Sequence, residues 1–109
     1  MDRMAFLSYA LTPRTYDSSV YGPMTARPAT GKDKAAARRF GTEKNEKGEP
    51  EFSNEKFEAA LVMLCSLDPK FEVQDLDGIM NQSAGEVNAY ANLIVKALPN
   101  PSSKTSTTS

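Results

Sequence analysis

Between Ser53 and Leu67 the chain carries an apolar pattern that a small fold cannot leave uncovered. Phe57, Ala60, Leu61, Leu64 and Leu67 recur at i, i+3, i+4, i+7 and i+10, which sets them along one stripe of an α-helix. Val62, Met63 and Cys65 widen that stripe until most of the circumference is apolar. A helix of this kind belongs at the centre of a core or beneath a partner. Ser53 or Asn54 supplies its start, and Asp68-Pro69 its end, because proline cannot continue the hydrogen bonding and restricts the residue before it. The chain has 109 residues, so two domains would each be too small to bury a core, and one small domain is expected.

The neighbouring segments are weaker but ordered. Met4, Leu7 and Leu11 are spaced for a short helix that Pro13 ends, and residues 1–14 read as an N-terminal arm or short helix. The apolar run from Met4 to Leu11 is interrupted by Ser8 and lacks a small-residue cleavage site, which disfavours export. Thr15 to Pro28 contains Tyr16, Val20, Tyr21 and Thr25 and reads as two short strands around Gly22-Pro23. Thr30 then caps a helix from about Gly31 to Phe40, Asp33 complements its dipole, and Gly41 stops it. Ala35, Ala36 and Ala37 let a neighbour approach closely.

Gly41 to Pro50 is polar throughout and reads as a surface loop. Beyond Pro69, a short helix is expected near Val73 to Asn81. Ser83-Ala84-Gly85-Glu86 forms a capping box that opens a last helix carrying Val87, Tyr90, Ala91, Ile94, Val95 and Leu98. Residues 15–98 therefore make a single helical domain with an N-terminal β-hairpin, and residues 99–109 a disordered tail without apolar residues to offset its ordering entropy. The expected class is mainly α with a small β-hairpin (α+β), as a compact bundle of three to four helices.

Missing residue types narrow the chemistry. The chain has no histidine, which removes imidazole bases, imidazole metal ligands and histidine triads. A single cysteine, Cys65, can form neither an internal disulfide nor a Cys-based zinc site. It lies within an apolar run and reads as a small buried hydrophobe. Gly31-Lys32 lacks the glycine and hydroxyl that a phosphate-binding loop needs at Ala26 and Asp33. Asp75, Asp77 and Gly78 suggest a calcium loop, but Val73 and Ala84 stand where carboxylates are required. Asn81-Gln82-Ser83 has the form of a glycosylation sequon, without consequence unless the chain is exported. Asp75 and Asp77 read as solvated surface acids. No catalytic constellation, cofactor site or metal site is expected, and no run is long enough to span a membrane.

Charge is uneven along the chain. Residues 1–49 carry nine Lys/Arg and six Asp/Glu, a balance of +3, and residues 50–109 carry four and eight, a balance of −4. Within the basic half, Lys32, Lys34, Arg38 and Arg39 cluster on the expected second helix and form a possible basic patch. No aromatic platform is interleaved among them, so a solvated helix face is the simpler reading and nucleic acid is disfavoured as a partner.

The order of elements carries a resemblance. A strand region leads into Met24-Thr25-Ala26-Arg27-Pro28-Ala29-Thr30-Gly31-Lys32-Asp33-Lys34 and a helix ending in Arg39-Phe40. The apolar helix follows, then Leu67-Asp68-Pro69 with Phe71, Asp75 and Leu76, and finally the capped helix from Ser83. Over Thr25 to Leu98 the chain resembles the small tail assembly chaperones of long-tailed bacteriophages. It departs from them in its basic first half and its longer N-terminal segment. The resemblance implies a helical, oligomerising protein without catalytic residues, which binds the tape measure protein, keeps it soluble and helps recruit tail tube subunits. It further implies the host cell cytoplasm as location, absence from the mature virion, and, in the hydroxyl-rich Ser102 to Ser109, a linker to a frameshifted extension.

A chaperone for an apolar helix needs an apolar groove and no chemistry. Phe57, Leu61, Leu64, Val87, Tyr90 and Ile94 are the partner-binding candidates, with Met24, Met63 and Met80 as adaptable contacts. For each residue taken singly, a place in the core is the simpler alternative. The alternative function is a small nucleic-acid-binding adaptor or regulator acting through Lys32, Lys34, Arg38 and Arg39.

Overall fold

The computed structural model describes residues 2–96. Its first hairpin pairs β1 (Arg14–Ser18) with β2 (Gly22–Ala26), antiparallel, with Arg14 opposite Ala26 and Ser18 opposite Gly22. The hairpin matches the sequence reading, but its turn does not sit at Gly22-Pro23. Residues 19–21 make the turn, and the Ser18 hydroxyl accepts from the Val20 and Tyr21 amides at 3.0 and 2.9 Å. Gly22 leaves the turn with φ 81°, a conformation that costs glycine little. Pro23 then lies within β2 opposite Asp17.

After α2 (Gly31–Gly41) comes a second hairpin, β3 (Thr42–Lys44) and β4 (Pro50–Phe52), where the sequence suggests only a polar loop. All six strand residues are exposed, so no burial pattern announces them. Turn chemistry closes the hairpin instead. The Asn45 side-chain oxygen accepts from the Lys47 and Glu49 amides, and Gly48 takes φ 78°. Such an Asn-initiated turn with glycine in the left-handed region needs no core.

The apolar helix α3 (Asn54–Cys65) is shorter than its stripe. Ser66–Asp68 leaves the helix and becomes β5, pairing with Thr25 and Ala26 of β2 to complete a sheet in the order β1-β2-β5. The physical reason lies in the two residues around Leu67. Proline at 69 disfavours helical backbone at Asp68, and the buried Ser66 hydroxyl donates to the Pro69 carbonyl at 2.5 Å. Leu67 is consequently 45% exposed and leaves the stripe it was assigned to.

A 3₁₀ turn over Val73–Asp75 leads into α4 (Leu76–Met80), close to the expected short helix. Helix α5 (Ala84–Val95) starts after Ser83, whose hydroxyl accepts from the Glu86 amide. It stops at Val95 and not at the expected Leu98: Lys96 already takes extended backbone (φ −76°, ψ 134°) and ends the helix, and the expected tail at 99–109 lies outside the described residues. Helix α1 (Arg3–Leu7) precedes β1 and buries nothing.

Helix α3 occupies the middle of the core. Ala59 to Met63 and Cys65 are buried on it, facing Ala37 and Gly41 of α2, Tyr90, Ala91 and Ile94 of α5, and Met24 and Ala26 of β2. This is an α+β arrangement: helices set against a small antiparallel sheet. Among the described residues no helix is long and apolar enough to cross a membrane.

Two arginines fasten the open end of the first hairpin to helix C-termini, where carbonyls lack intrahelical partners. Arg14 donates to the Leu93 carbonyl at 2.6 Å and also to Lys96, at the end of α5. The Arg27 guanidinium donates to the Leu64 carbonyl at 3.1 Å, and its amide to Cys65 at 3.0 Å, at the end of α3.

Candidate functional site

A cleft of about 800 Å³ opens between the sheet and the last two helices. Pro23 and Met24 of β2 line it, together with Gly78 and Ile79 of α4. Val62 of α3 and Tyr90 of α5 lie at its base, while Phe71 and Val87 flank it. The rim carries Asp68, Lys70, Asp75 and Glu86. Its volume lies within the range of ligand-binding clefts, and its lining follows their usual pattern of apolar walls with few polar groups.

The cleft exists because a strand ends where a helix begins. Glu86, in the first turn of α5, does not reach back to its own cap as the sequence suggests. Its Oε1 accepts from the Ser18 hydroxyl at 2.5 Å and the Tyr16 hydroxyl at 3.0 Å instead. Tyr21 repeats the link beside it, donating to Gln82 at 3.0 Å and accepting from the Ser83 amide at 3.2 Å. These bonds hold the turn end of the first hairpin against the N-terminus of α5 and fix the upper edge of the cleft.

At the base, the Tyr90 and Ser66 hydroxyls lie 2.9 Å apart. Ser66 spends its one proton on the Pro69 carbonyl, so Tyr90 is the donor. Tyr16 stacks on Tyr90 with ring centroids 5.7 Å apart. Burial is the main cause that raises the phenol pKa of both tyrosines, and the Glu86 carboxylate adds to it at Tyr16. Both therefore stay neutral donors at neutral pH. Burial also pushes the Cys65 thiol up to about 12, which leaves it protonated and a poor nucleophile.

The partner-binding candidates separate by position. Leu61, Tyr90 and Ile94 are 0–1% exposed and are core residues; of these only Tyr90 reaches the cleft. Val87 is half-buried and lines the cleft directly. Phe57 and Leu64 are half-buried elsewhere. Phe57 packs against Phe52 at 5.6 Å between ring centroids and beneath the Arg38 guanidinium at 6.0 Å. Among the methionines, Met24 lines the cleft, Met63 is buried, and Met80 is 39% exposed away from it.

Lys32, Lys34, Arg38 and Arg39 are all exposed on α2, and none lines the cleft. Lys34 and Arg38, four apart, share one flank; Lys32 and Arg39, seven apart, share the other. The sequence does not disclose the cleft, because its lining comes from segments up to 69 positions apart, from Tyr21 to Tyr90. Its clearest local signal is Phe71 next to Asp68-Pro69, an aromatic outside any helical stripe.

Among the described residues no group of three or more Cys, Asp or Glu side chains could hold a metal ion. Fold and cleft together define a small α+β domain with an open, acid-rimmed apolar cleft. No family model, curated protein or solved structure matches the chain.

Proposed function

We propose that the protein is a tail assembly chaperone of a long-tailed bacteriophage, a non-catalytic binding unit that takes an apolar helical stretch of the tape measure protein into its cleft. In this reading it keeps that client soluble, helps recruit tail tube subunits, acts in the host cytoplasm as a homo-oligomer, and leaves the finished virion. Helices α2, α3 and α5, with α4 at one side, serve as its compact bundle. The observation that carries the proposal is the apolar cleft with three carboxylates and one lysine on its rim. An amphipathic helix with Lys or Arg beside its apolar stripe complements both features. The order of elements around Leu67-Asp68-Pro69 adds to it.

Co-expression with the longest helical protein encoded beside this gene is the test. The client becomes soluble and co-purifies with the wild-type chain, and exchanging Asp68 for Lys weakens the capture. A client that stays insoluble and fails to co-purify defeats the proposal. The nucleic-acid alternative draws on the four exposed cations of α2. It requires binding that weakens steeply with added salt and is lost when Arg38 and Arg39 become Gln.

A further inference from the structure

The basic face of α2 has an aromatic neighbour that the order of residues along the chain does not show. At about 3.6 residues per turn, Lys34, Arg38, Arg39 and Lys32 fall within an arc of about 160° that excludes the buried Ala37 and Gly41. All four are exposed. No carboxylate shares the arc, because Asp33, the one acid of this helix, lies outside it and is held by Arg27. Among the described residues the ion pairs are Arg27 with Asp33 and Lys56 with Glu43, so the four cations have no acidic partner. Lys34 and Arg38, four apart, repel each other along the helix, and a bound polyanion relieves that repulsion.

The face continues onto the second hairpin. Ala35, Arg38, Arg39 and Thr42 line one open recess, and the Thr42 hydroxyl donates to the Arg38 carbonyl at 2.8 Å. Side chains alternate across the strands. Thr42, opposite Phe52, shares a face with Lys44, whereas Glu43 and Glu51 oppose each other on the other face. Glu43 is paired there with Lys56, and Glu46 and Glu49 stand at the tip, beyond Lys44. Phe52 is 48% exposed. Its ring lies 5.6 Å from that of Phe57, over which the Arg38 guanidinium sits at 6.0 Å. Strand pairing thus sets an exposed ring near the cations and sorts Glu43 and Glu51 onto the other face.

We propose that this face binds single-stranded nucleic acid, with the four α2 cations on phosphates and Phe52 stacked on a base. Phosphate contacts need only unpaired Lys and Arg, and a ring beside a guanidinium accepts any unstacked base. A duplex keeps its bases stacked inside and offers Phe52 nothing. An acidic peptide or an anionic membrane uses the cations and leaves the ring idle. The inference rests on the nucleic-acid alternative and adds to it a strand type and a stacking residue. None of these residues lines the cleft, so it is independent of the client.

The test is fluorescence anisotropy of a labelled oligothymidylate of about 20 nucleotides, titrated with the full-length chain across a salt series. The wild type should bind with a log–log salt slope of about −3, about 0.7 for each α2 cation, and more tightly than it binds a duplex of equal length. Arg38→Gln with Arg39→Gln should reduce that slope by about half. Phe52→Leu keeps an apolar contact with Phe57; it should weaken binding at least about fivefold at unchanged slope and melting temperature. Lys70→Gln, on the cleft rim, should alter neither slope nor affinity.

Absence of binding overturns the proposal. So does a Lys70→Gln chain that loses as much as the arginine variant, because general charge is then being read. A duplex bound as tightly as the single strand, or full affinity in Phe52→Leu, overturns the stacking while the salt-dependent alternative survives. Polyglutamate that displaces the oligonucleotide equally well also overturns it and makes an acidic protein the partner. Should Phe52→Leu fail to fold, the comparison of single strand with duplex on the wild type decides. Client solubilisation is scored separately, so failure of either reading leaves the other standing.

Discussion

Arg27 and Asp33 show how much one side chain can fasten. The guanidinium grips both carboxylate oxygens at 2.5 and 2.9 Å while also reaching the end of α3, and Asp33 caps the Thr30 amide at 2.9 Å. The Arg27 hydrogen bonds are the chief cause that holds Asp33 down at about 2, below its ordinary 3.8. A carboxyl with a lowered pKa stabilises the fold above its unfolded value, and that contribution fades as pH falls from about 4 towards 2. The full shift corresponds to roughly 2.5 kcal/mol. With Arg27 39% exposed, screening reduces this to about 1 kcal/mol. Asp33→Asn should therefore lower stability by about 1 kcal/mol at pH 7, and the gap from wild type should close by pH 2 in urea titrations. An equal gap at both pH values would refute the assignment. The sequence discloses Thr30 and Asp33 as a cap because they are three apart. It hides Arg27, whose partner at Leu64 is 37 positions away, and it points Glu86 towards its own helix when a strand claims it.

Among the elements, α2 and α3 come close together at Gly41, beside the backbone of Phe57. A Cβ built on Gly41 would stand 3.1 Å from the Phe57 backbone nitrogen and 3.2 Å from its Cα. Backbone cannot yield as a side chain can, so Gly41→Ala should cost about 1–3 kcal/mol through overpacking and lower Tm by about 5–15 °C. Gly31→Ala, at the opposite end of α2 with nothing within 4 Å, is the control. It should be neutral or raise stability by about 0.5 kcal/mol. If both glycines melt alike after substitution, the close contact is not what Gly41 serves. The sequence shows this glycine as a helix stop, which is true but incomplete. Helices α3 and α5 were legible because an apolar stripe repeats over about three turns of each, and α2 because Thr30 and Asp33 cap its start. The β3–β4 hairpin was not, since Thr42-Glu43-Lys44 and Pro50-Glu51-Phe52 bury nothing, and β5 was absorbed into the helix stripe because Leu67 falls at the right spacing for it.

At the scale of the whole molecule, stability and binding rest on different residues, and that separation can be measured. The core is small and centred on α3, so Leu61→Ala, at 1% exposure, removes contacts that only the fold uses. It should cost about 2–5 kcal/mol, a large share of the roughly 5–10 kcal/mol expected of a domain this size. Gly78→Trp adds bulk at a residue that lines the cleft, from a position where a Cβ meets nothing within 4 Å. If the cleft is the binding surface, client solubilisation in co-expression falls to background with Gly78→Trp while the melting temperature holds. With Leu61→Ala the melting temperature falls, and solubilisation declines only in proportion to the folded fraction. A Gly78→Trp chain that still solubilises the client fully would move the binding surface elsewhere, to the exposed cations of α2 or the half-buried Phe57 beneath Arg38. The comparison is informative because one variant changes the population of the folded state and the other changes only what that state can hold.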